Sequence, residues 1–363
     1  MTHDAEFHTP VRVLIVDDSA FMRVALSHMI ADESGLEVAA TACNGAEALD
    51  KIASLDPDVV TLDVEMPGLD GLQTLRHIMN QFPRPVIMVS GATEQDANNT
   101  FNALAAGAFD YIPKHLSPAS LDILHIRQDL VAKIRAAAQL RPFHSEDVLS
   151  RKPPQSSNLE NHDRIFLATP AIVALGISTG GPKALEEILP LFPPDLAVPI
   201  LIVQHMPPGF TAPFAQRLNS LCSVNVREAS HGELIQPGVV YIAPAGMHMS
   251  VQRLSDARAM ICLDTHPENR PHIPSVDVMM NSVAEAYRDL ALGVIMTGMG
   301  SDGAEGMNAI HRQGGLTFGQ DEASCTVYGM PRVCADLGIL TRVVPLSQIP
   351  SQILHATRYR KHA

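Results

Sequence analysis

Residues 11–19 read VRVLIVDDS, an almost unbroken apolar run, rich in β-branched residues, that ends at two aspartates. Continuous apolar runs of this length predict strands buried on both faces, as in parallel sheets covered by helices. Three similar runs follow in the first half of the chain: DVVTLDV (58–64), PVIMVS (85–90) and AFDYIPK (108–114). Helical patterns separate them, so this half predicts repeated strand–helix units around a parallel sheet.

The second half repeats the alternation with different residues. Its apolar runs are AIVALGI (171–177), PILIVQ (199–204), VVYIAP (239–244) and LGVIMTG (292–298). Between the halves, residues 140–165 lose the periodicity and are rich in Pro, Ser, Asn and charge, which is typical of a linker. We therefore expect an α/β protein with two doubly wound parallel-sheet domains, at 10–130 and 168–357, joined by a linker at 131–167.

The chain of 363 residues has a formal net charge of −13, and most of the acidity lies in its first part. Residues 1–140 hold 9 basic and 19 acidic side chains. This balance argues against nucleic acid as a ligand, because phosphate binding needs a basic face, and it suits a divalent cation better. Five widely spaced cysteines without a C-x-x-C pair, and no apolar run of roughly 20 residues, predict a soluble cytoplasmic protein without membrane insertion.

Polar side chains stand where the strands of the first half are predicted to end. They are Asp17, Asp18, Asp63, Ser90 and Lys114. The carboxyl ends of parallel strands meet at one edge of a sheet, where ligands collect. Three carboxylates there would repel one another without a hard cation, and Mg²⁺ prefers such oxygen ligands. A lysine and a hydroxyl at the same edge suit a phosphoryl group, although capping of the following helices is the simpler role for any one of these residues.

On these residues the first half resembles the receiver domain of response regulators. The matching stretches are VDDS, LDVEMPGLDGL, VSGAT and the lysine of IPK. The resemblance implies a flavodoxin-like fold, Asp63 as phosphoacceptor, and Ser90 and Lys114 as the residues that respond to the phosphoryl group. The Mg²⁺ ligands that it implies are Asp17, Asp18, Asp63 and the backbone carbonyl of Glu65. His115 replaces the proline that usually follows the lysine, which puts the cis peptide expected there in doubt.

A serine on a strand-to-helix turn is the main chemical feature of the second half. The stretch GISTGG (176–181) fits G-x-S-x-G and precedes a helix beginning near Pro182. A Gly-rich phosphate loop is a competing interpretation of this stretch alone. His205 and Asp302 follow two other predicted strands, so a base and an orienting carboxylate could meet Ser178. An α/β-hydrolase arrangement would instead need His311 or His355 as the base.

The second half also resembles the catalytic domain of the chemotaxis protein-glutamate methylesterases, the CheB family. The stretches that carry the resemblance are ALGISTGGPKAL, VQHMPPGFT, PSVDVMM, TGMGSDGAEGM and QDEASCTVYGMP. It implies a Rossmann-like domain in which Ser178 is the nucleophile, His205 the general base and Asp302 the orienting carboxylate. It further implies that the amide of Met299, with Thr179 nearby, forms the oxyanion hole, and that no cofactor is needed in this site.

The family resemblance implies an activity and partners as well. The expected enzyme is controlled by phosphorylation from a chemotaxis histidine kinase, acts as a monomer, and demethylates or deamidates methyl-accepting chemotaxis receptors. Two alternatives remain: a second domain that only binds a partner, and a hydrolase of another ester. The polar loop HPENRPHIPSVD (266–277) lacks metal-ligand spacing, so we expect it to border the substrate cleft, with Ser275 capping the next helix.

Overall fold

The structure is a computed structural model that divides the chain into two compact units, residues 1–165 and residues 166–363. The residues it describes are 9–91, 93–114, 120–139, 168–255, 258–268 and 270–357. Each unit is an α/β domain built on its own parallel sheet, which confirms the predicted fold class.

The first domain has a five-stranded parallel sheet in the order β2-β1-β3-β4-β5. Its strands are β1 (Val11–Val16), β2 (Leu36–Ala42), β3 (Val59–Asp63), β4 (Val86–Ser90) and β5 (Asp110–Pro113). Its helices are α1 (Ala20–Ala31), α2 (Gly45–Leu55), α3 (Gly71–Gln81), α4 (Glu94–Ala105) and α5 (Ser120–Ala138). The central strands β3 and β4 are buried along their whole length, as their apolar runs predict.

Side-chain caps start four of these helices just after the strand ends. Ser19, Asn44, Asp70 and Thr93 each accept a hydrogen bond from an amide in the first turn of the helix that follows. Such caps satisfy amides that have no partner within the helix, so the chain turns sharply at the carboxyl edge of the sheet. The functional side chains of this domain stand at that edge.

Helix α5 corrects one predicted boundary. It continues to Ala138, past residue 130, where we expected the first domain to end. The helix packs against α1 and β5, and it buries Val131, Ile134 and Ala137. Residues 131–138 are therefore helical rather than linker, because this apolar face needs the sheet and α1 to cover it. The rest of the expected linker, from residue 140 to 167, lies outside the described residues.

The second domain has a seven-stranded parallel sheet in the order β14-β13-β12-β6-β7-β9-β8, with a separate hairpin of β10 and β11. Its strands are β6 (Ile172–Ile177), β7 (Ile200–Gln204), β8 (Asn225–Glu228), β9 (Val239–Ile242), β10 (His248–Arg253), β11 (Ala259–Asp264), β12 (Ala291–Ile295), β13 (Leu316–Gln320) and β14 (Arg342–Val344). Its helices are α6 (Gly181–Ile188), α7 (Thr211–Leu221), α8 (Val276–Tyr287), α9 (Ala304–Arg312), α10 (Met330–Asp336) and α11 (Ile349–Ala356).

The antiparallel hairpin of β10 and β11 is absent from the sequence-based expectations. Strand β10 is half polar and partly exposed, and β11 has one short apolar run, AMICL, that ends at Asp264. The hairpin packs against α8 and places His248 in the interior. His248 thereby contacts the loop that leads into α8.

Among the described residues, no helix combines the length and the apolar character that crossing a membrane requires.

A substitution in the last turns of α5 tests whether this segment belongs to the first domain. Ile134 is fully buried, so Ile134→Ala should lower the free energy of unfolding of that domain by about 2–4 kcal/mol. Gln139→Ala is the control, because Gln139 is exposed just beyond the helix and its replacement should change stability by under about 0.5 kcal/mol. Urea unfolding of the full chain measures both, and equal stability of the two variants would contradict the packing of α5.

Candidate functional site

The predicted carboxylate pocket forms at the carboxyl edge of the first sheet. Carboxylate oxygens of Asp17, Asp18 and Asp63 lie within 4.8 Å of one another. The Lys114 ammonium lies 2.6 Å from Oδ2 of Asp63 and 3.2 Å from Oδ2 of Asp17. Asp17 and Asp63 are buried, whereas Asp18 is exposed and lines an open cavity together with Glu65 and Lys114. The structure therefore brings these acidic residues and the lysine together, as expected.

The charges of this pocket are only partly compensated. Burial, with the nearby Asp17 carboxylate, raises the pKa of Asp63 to about 6 against the attraction of Lys114. Although burial opposes it, contact with Asp63 and Asp17 raises the pKa of Lys114. Oδ2 of Asp17 and Oδ2 of Asp63 accept no hydrogen bond of normal geometry from the described part of the chain. Three converging carboxylates with unused oxygen lone pairs fit Mg²⁺, which would supply the missing positive charge.

Ser90 ends β4 and lies beside this pocket rather than within the carboxylate cluster. Its hydroxyl is fully buried, and the Thr100 hydroxyl on α4 lies 2.7 Å away. The amide of Lys114 donates to the Ser90 carbonyl, which joins the ends of β4 and β5. The amide of Glu65 donates to Oδ1 of Asp63, while metal binding by its carbonyl stays a prediction. The Lys114–His115 peptide lies outside the described residues.

Ser178 stands on a tight turn between β6 and α6 in the second domain. Gly180, two residues on, has a φ of 75°, and a Cβ there would lie 2.3 Å from Oγ1 of Thr326. Only glycine suits that combination of left-handed backbone and close approach. The Gly181 amide donates to the Ser178 carbonyl over 2.8 Å, which closes the turn. The predicted strand–turn–helix context of the serine is thus present.

Three adjacent strands, β12, β6 and β7, bring the predicted triad together. His205 directly follows β7, and its Nδ1 lies 3.2 Å from Oγ of Ser178. Nε2 of the same ring lies 2.8 Å from Oδ2 of Asp302, in the loop after β12. The nitrogens thus have the reverse assignment to that of chymotrypsin-like proteases, where Nε2 faces the serine. His311 and His355 lie on α9 and α11 instead.

Asp302 is held by the N-terminus of α8. Its Oδ2 accepts from the Val276 amide at 2.7 Å, and its Oδ1 accepts from the Asp277 amide at 3.1 Å and the Ser275 hydroxyl at 2.8 Å. Burial alone would raise the pKa of Asp302, but the hydrogen bonds from His205 and these amides hold it well below its usual range. Asp302 is therefore a fixed, ionised partner for His205.

Asp277 makes the reciprocal contact with α9. Its Oδ1 accepts from the amides of Gly303 and Gly306, both at 2.9 Å, around the start of that helix. Burial and the nearby Asp302 carboxylate raise the pKa of Asp277 to about 6. Each of the two helices thus binds a carboxylate from the segment that begins the other, which fixes the position of the loop that carries Asp302.

The 266–277 loop borders the site, and His272 is its contact with the triad. The rings of His272 and His205 are stacked, with centroids 4.0 Å apart and an interplanar angle of 20°. Ser275 caps α8 by accepting from the Val278 amide, as predicted. Within the described ranges, the one group of three or more candidate metal ligands is formed by Asp17, Asp18 and Asp63 of the first domain, not by this loop. Asn269 lies outside the described residues.

Of the predicted oxyanion-hole residues, Thr179 lies within the serine turn and Met299 lies in the neighbouring loop after β12. Gly298 is so close that a Cβ on it would lie 2.8 Å from the Ser178 Cβ, which places the following residue, Met299, at the site. The Thr297 hydroxyl donates to the Thr179 carbonyl at 2.9 Å and links the two loops. In the part of the chain that the structure describes, the amides of Thr179 and Met299 have no hydrogen-bond acceptor.

Two supporting residues, Gln204 and His248, are not predicted from the sequence, because their roles depend on tertiary contacts. Gln204 is buried at the end of β7, and its Nε2 donates to the carbonyls of Ser178 and His205, both at 3.0 Å. His248 is buried at the start of β10, and burial lowers its pKa. A glutamine ending an otherwise apolar strand was the one available signal for Gln204. For His248 no comparable signal exists.

Comparisons with known proteins agree with this geometry. Residues 13–124 match the response regulator receiver domain model, and residues 173–353 match the CheB methylesterase model. Protein-glutamate methylesterase/protein-glutamine glutaminase 2 of Nitratidesulfovibrio vulgaris is 43% identical, with 95% of this chain and 99% of that protein covered. The Lawsonia intracellularis protein-glutamate methylesterase/protein-glutamine glutaminase gives the same three values.

A solved structure matches the second domain. The crystal structure of the Thermotoga maritima CheB methylesterase catalytic domain has a TM-score of 0.50 and 37% identity, covering 52% of this chain and 99% of that one. The matches to the two family models place the receiver domain before the methylesterase domain in this chain. The chain therefore belongs to the family of protein-glutamate methylesterase/protein-glutamine glutaminases, in which a receiver domain precedes a CheB methylesterase domain.

Proposed function

We propose that this protein is a phosphorylation-activated serine hydrolase that demethylates glutamate methyl esters and deamidates glutamines on methyl-accepting chemotaxis receptors. The observation that carries the proposal is the hydrogen-bonded series Ser178–His205–Asp302 at the ends of three adjacent strands. The names of the full-length relatives supply the substrate class. Binding alone would not need an oriented imidazole beside a serine hydroxyl.

In the acylation step, Oγ of Ser178 attacks the γ-carbonyl carbon of the glutamyl methyl ester. Nδ1 of His205 takes the hydroxyl proton, and Asp302 stabilises the resulting imidazolium through Nε2. The amides of Met299 and Thr179 are the proposed donors to the oxyanion of the tetrahedral intermediate. Collapse of the intermediate breaks the bond to the methoxy group, which leaves as methanol with the proton from His205.

In the second step, water hydrolyses the γ-glutamyl ester of Ser178. His205 takes a proton from the water and returns it to the serine oxygen, and a glutamate carboxylate is released. A glutamine side chain follows the same path with ammonia as the leaving group. The two activities in the relatives' names thus need one nucleophile and one base.

The receiver domain is proposed to control this chemistry. Asp63 accepts a phosphoryl group from a chemotaxis histidine kinase, and Lys114 and Ser90 contact the transferred group. Asp17, Asp18, Asp63 and the carbonyl of Glu65 would hold Mg²⁺, which neutralises the charge that develops during phosphoryl transfer. Lys114 already lies between two of these carboxylates. Its ammonium therefore stands beside the oxygen of Asp63 that would carry the phosphoryl group, where it would pair with the phosphoryl oxygens.

We further propose a cytoplasmic monomer that binds no nucleic acid. The absence of a membrane-spanning helix from the described residues and the net charge of −13 are in keeping with this setting. The proposed domain limits are 10–138 for the receiver and 168–357 for the esterase, with the segment between them as a linker.

Methanol release from methylated receptor membranes tests the proposal directly. Acetyl phosphate with Mg²⁺ should raise the rate of the wild-type protein. Ser178→Ala should lower the stimulated rate by a factor on the order of 10³ or more, because the nucleophile is lost. Methanol release by Ser178→Ala at the wild-type rate would contradict the mechanism. If the wild-type protein released no methanol, the proposed function would be contradicted.

Asp63→Ala should abolish the stimulation by acetyl phosphate in the same assay, because the phosphoacceptor is removed. Asp50→Ala is the matched control, since Asp50 is an exposed carboxylate of the same domain. Stimulation that persists in Asp63→Ala would place the phosphoacceptor elsewhere.

The raised pKa of Asp63 predicts a pH-dependent stability difference. The folded-state pKa of Asp63 is about 6, above the ordinary value of 3.8. Ionised Asp63 therefore destabilises the folded domain, and this cost is fully present above about pH 6. Without Mg²⁺ and near pH 7.5, the free energy of unfolding of Asp63→Asn should therefore be about 2 kcal/mol higher than that of the wild-type protein. The difference should shrink as the pH falls towards about 4, because wild-type Asp63 becomes protonated. Urea unfolding at a series of pH values measures it, and a constant difference would contradict the assignment.

Mg²⁺ binding should stabilise the first domain through the carboxylate cluster. At a hundredfold excess over its dissociation constant, a ligand of the native state adds about 2.7 kcal/mol. Asp18→Asn should weaken this gain without unfolding the domain, because Asp18 is exposed, whereas Asp50→Asn should keep it. Thermal unfolding with Mg²⁺ and with EDTA measures the gain, and an equal gain in Asp18→Asn would exclude Asp18 as a ligand.

A further inference from the structure

His272 is the exposed member of a pair of stacked histidine rings. Its ring centroid lies 4.0 Å from that of His205, at an interplanar angle of 20°. The side chain of His205 is only 9% exposed, whereas His272 lies at the surface. His272 therefore covers a face of the His205 ring, while both nitrogens of that ring remain in contact with Ser178 and Asp302.

The loop that carries His272 is fixed at several points. Nδ1 of the buried His248 accepts from the Ser275 amide at 3.1 Å, and its Nε2 lies 3.1 Å from the Pro267 carbonyl. The Gly246 amide donates to the Ile273 carbonyl at 3.1 Å. Residues on both sides of His272 are thus tied to the start of β10, so the stack does not depend on a free loop.

We propose that His272 is a positioning residue for His205, an inference that rests on the proposed hydrolase function. Atoms of stacked rings at this separation are in van der Waals contact, so rotation of the His205 ring about its Cβ–Cγ bond would drive it into His272. The stack therefore keeps Nδ1 on Ser178 and Nε2 on Asp302.

A fluorophosphonate probe tests this role on the full chain, stimulated with acetyl phosphate and Mg²⁺, without receptor substrate. Oγ of Ser178 forms a bond to phosphorus, the phosphorus–fluorine bond breaks, and the serine proton passes to His205. The maximal rate constant of labelling should fall about tenfold in His272→Ala and in His272→Leu, because the His205 ring is held less well, with little change in the concentration for half-maximal rate. His272→Phe should stay within about threefold of wild type, because it keeps a ring in the stack.

Controls separate this inference from the function on which it rests. Ser178→Ala should remain unlabelled, and wild-type labelling no faster than that variant would overturn the proposed function together with the role of His272. Wild-type labelling that is matched by His272→Ala would overturn the positioning role alone. A rate for His272→Phe as low as for His272→Ala would also overturn it, because the ring would not be what matters.

His266→Ala supplies the matched loop control. His266 lies on the same loop with its side chain 71% exposed, so its loss should leave the labelling rate unchanged. Equal losses in His266→Ala and His272→Ala would assign the effect to the loop and overturn the specific role of His272. Thermal unfolding midpoints of all variants should match that of wild type, since neither imidazole belongs to the buried core.

Discussion

The reciprocal binding of two carboxylates by two helix N-termini is the constraint on which the arrangement of Ser178, His205 and Asp302 depends. Asp302 accepts amides at the start of α8, and Asp277 accepts amides at the start of α9. Each helix end thereby compensates a buried negative charge, and the two contacts lock α8 and α9 against each other. Asp302 contacts the His205 ring, so the imidazole is oriented by a carboxylate whose own position is fixed by hydrogen bonds. The raised pKa of Asp277 shows that burying the second charge has a cost.

The two domains differ in how fully their buried carboxylates are hydrogen-bonded. In the second domain, backbone amides and the Ser275 hydroxyl occupy the oxygens of Asp302, so the group is complete without a ligand. In the first domain, Asp17 and Asp63 keep oxygens that only Lys114 approaches within the described chain. The former arrangement suits a permanent catalytic orientation. The latter suits a site whose charge changes when a cation and a phosphoryl group bind.

Much of the fold and the triad was predictable because buried parallel strands have a plain signature. Continuous apolar runs located β1, β6 and β7, and the rule that ligands collect at carboxyl strand ends brought Ser178, His205 and Asp302 together. The hairpin of β10 and β11 was not predicted, because β10 is half polar and the single short run AMICL of β11 does not indicate an antiparallel partner. His272 was assigned only to the border of the cleft. Its stack depends on the path of a loop that His248 fixes from another part of the chain.

The orientation of the His205 ring follows from the order of the strands. His205 follows β7, and Ser178 follows the adjacent strand β6, so the ring nitrogen nearest the main chain, Nδ1, reaches the serine. The distal nitrogen, Nε2, spans the longer distance to Asp302 in the loop after β12. A neutral His205 ring with these two contacts carries its hydrogen on Nε2, the opposite tautomer to that of chymotrypsin-like proteases. A search template defined by atom names would pass over such a site. One defined by the roles of the three groups would find it.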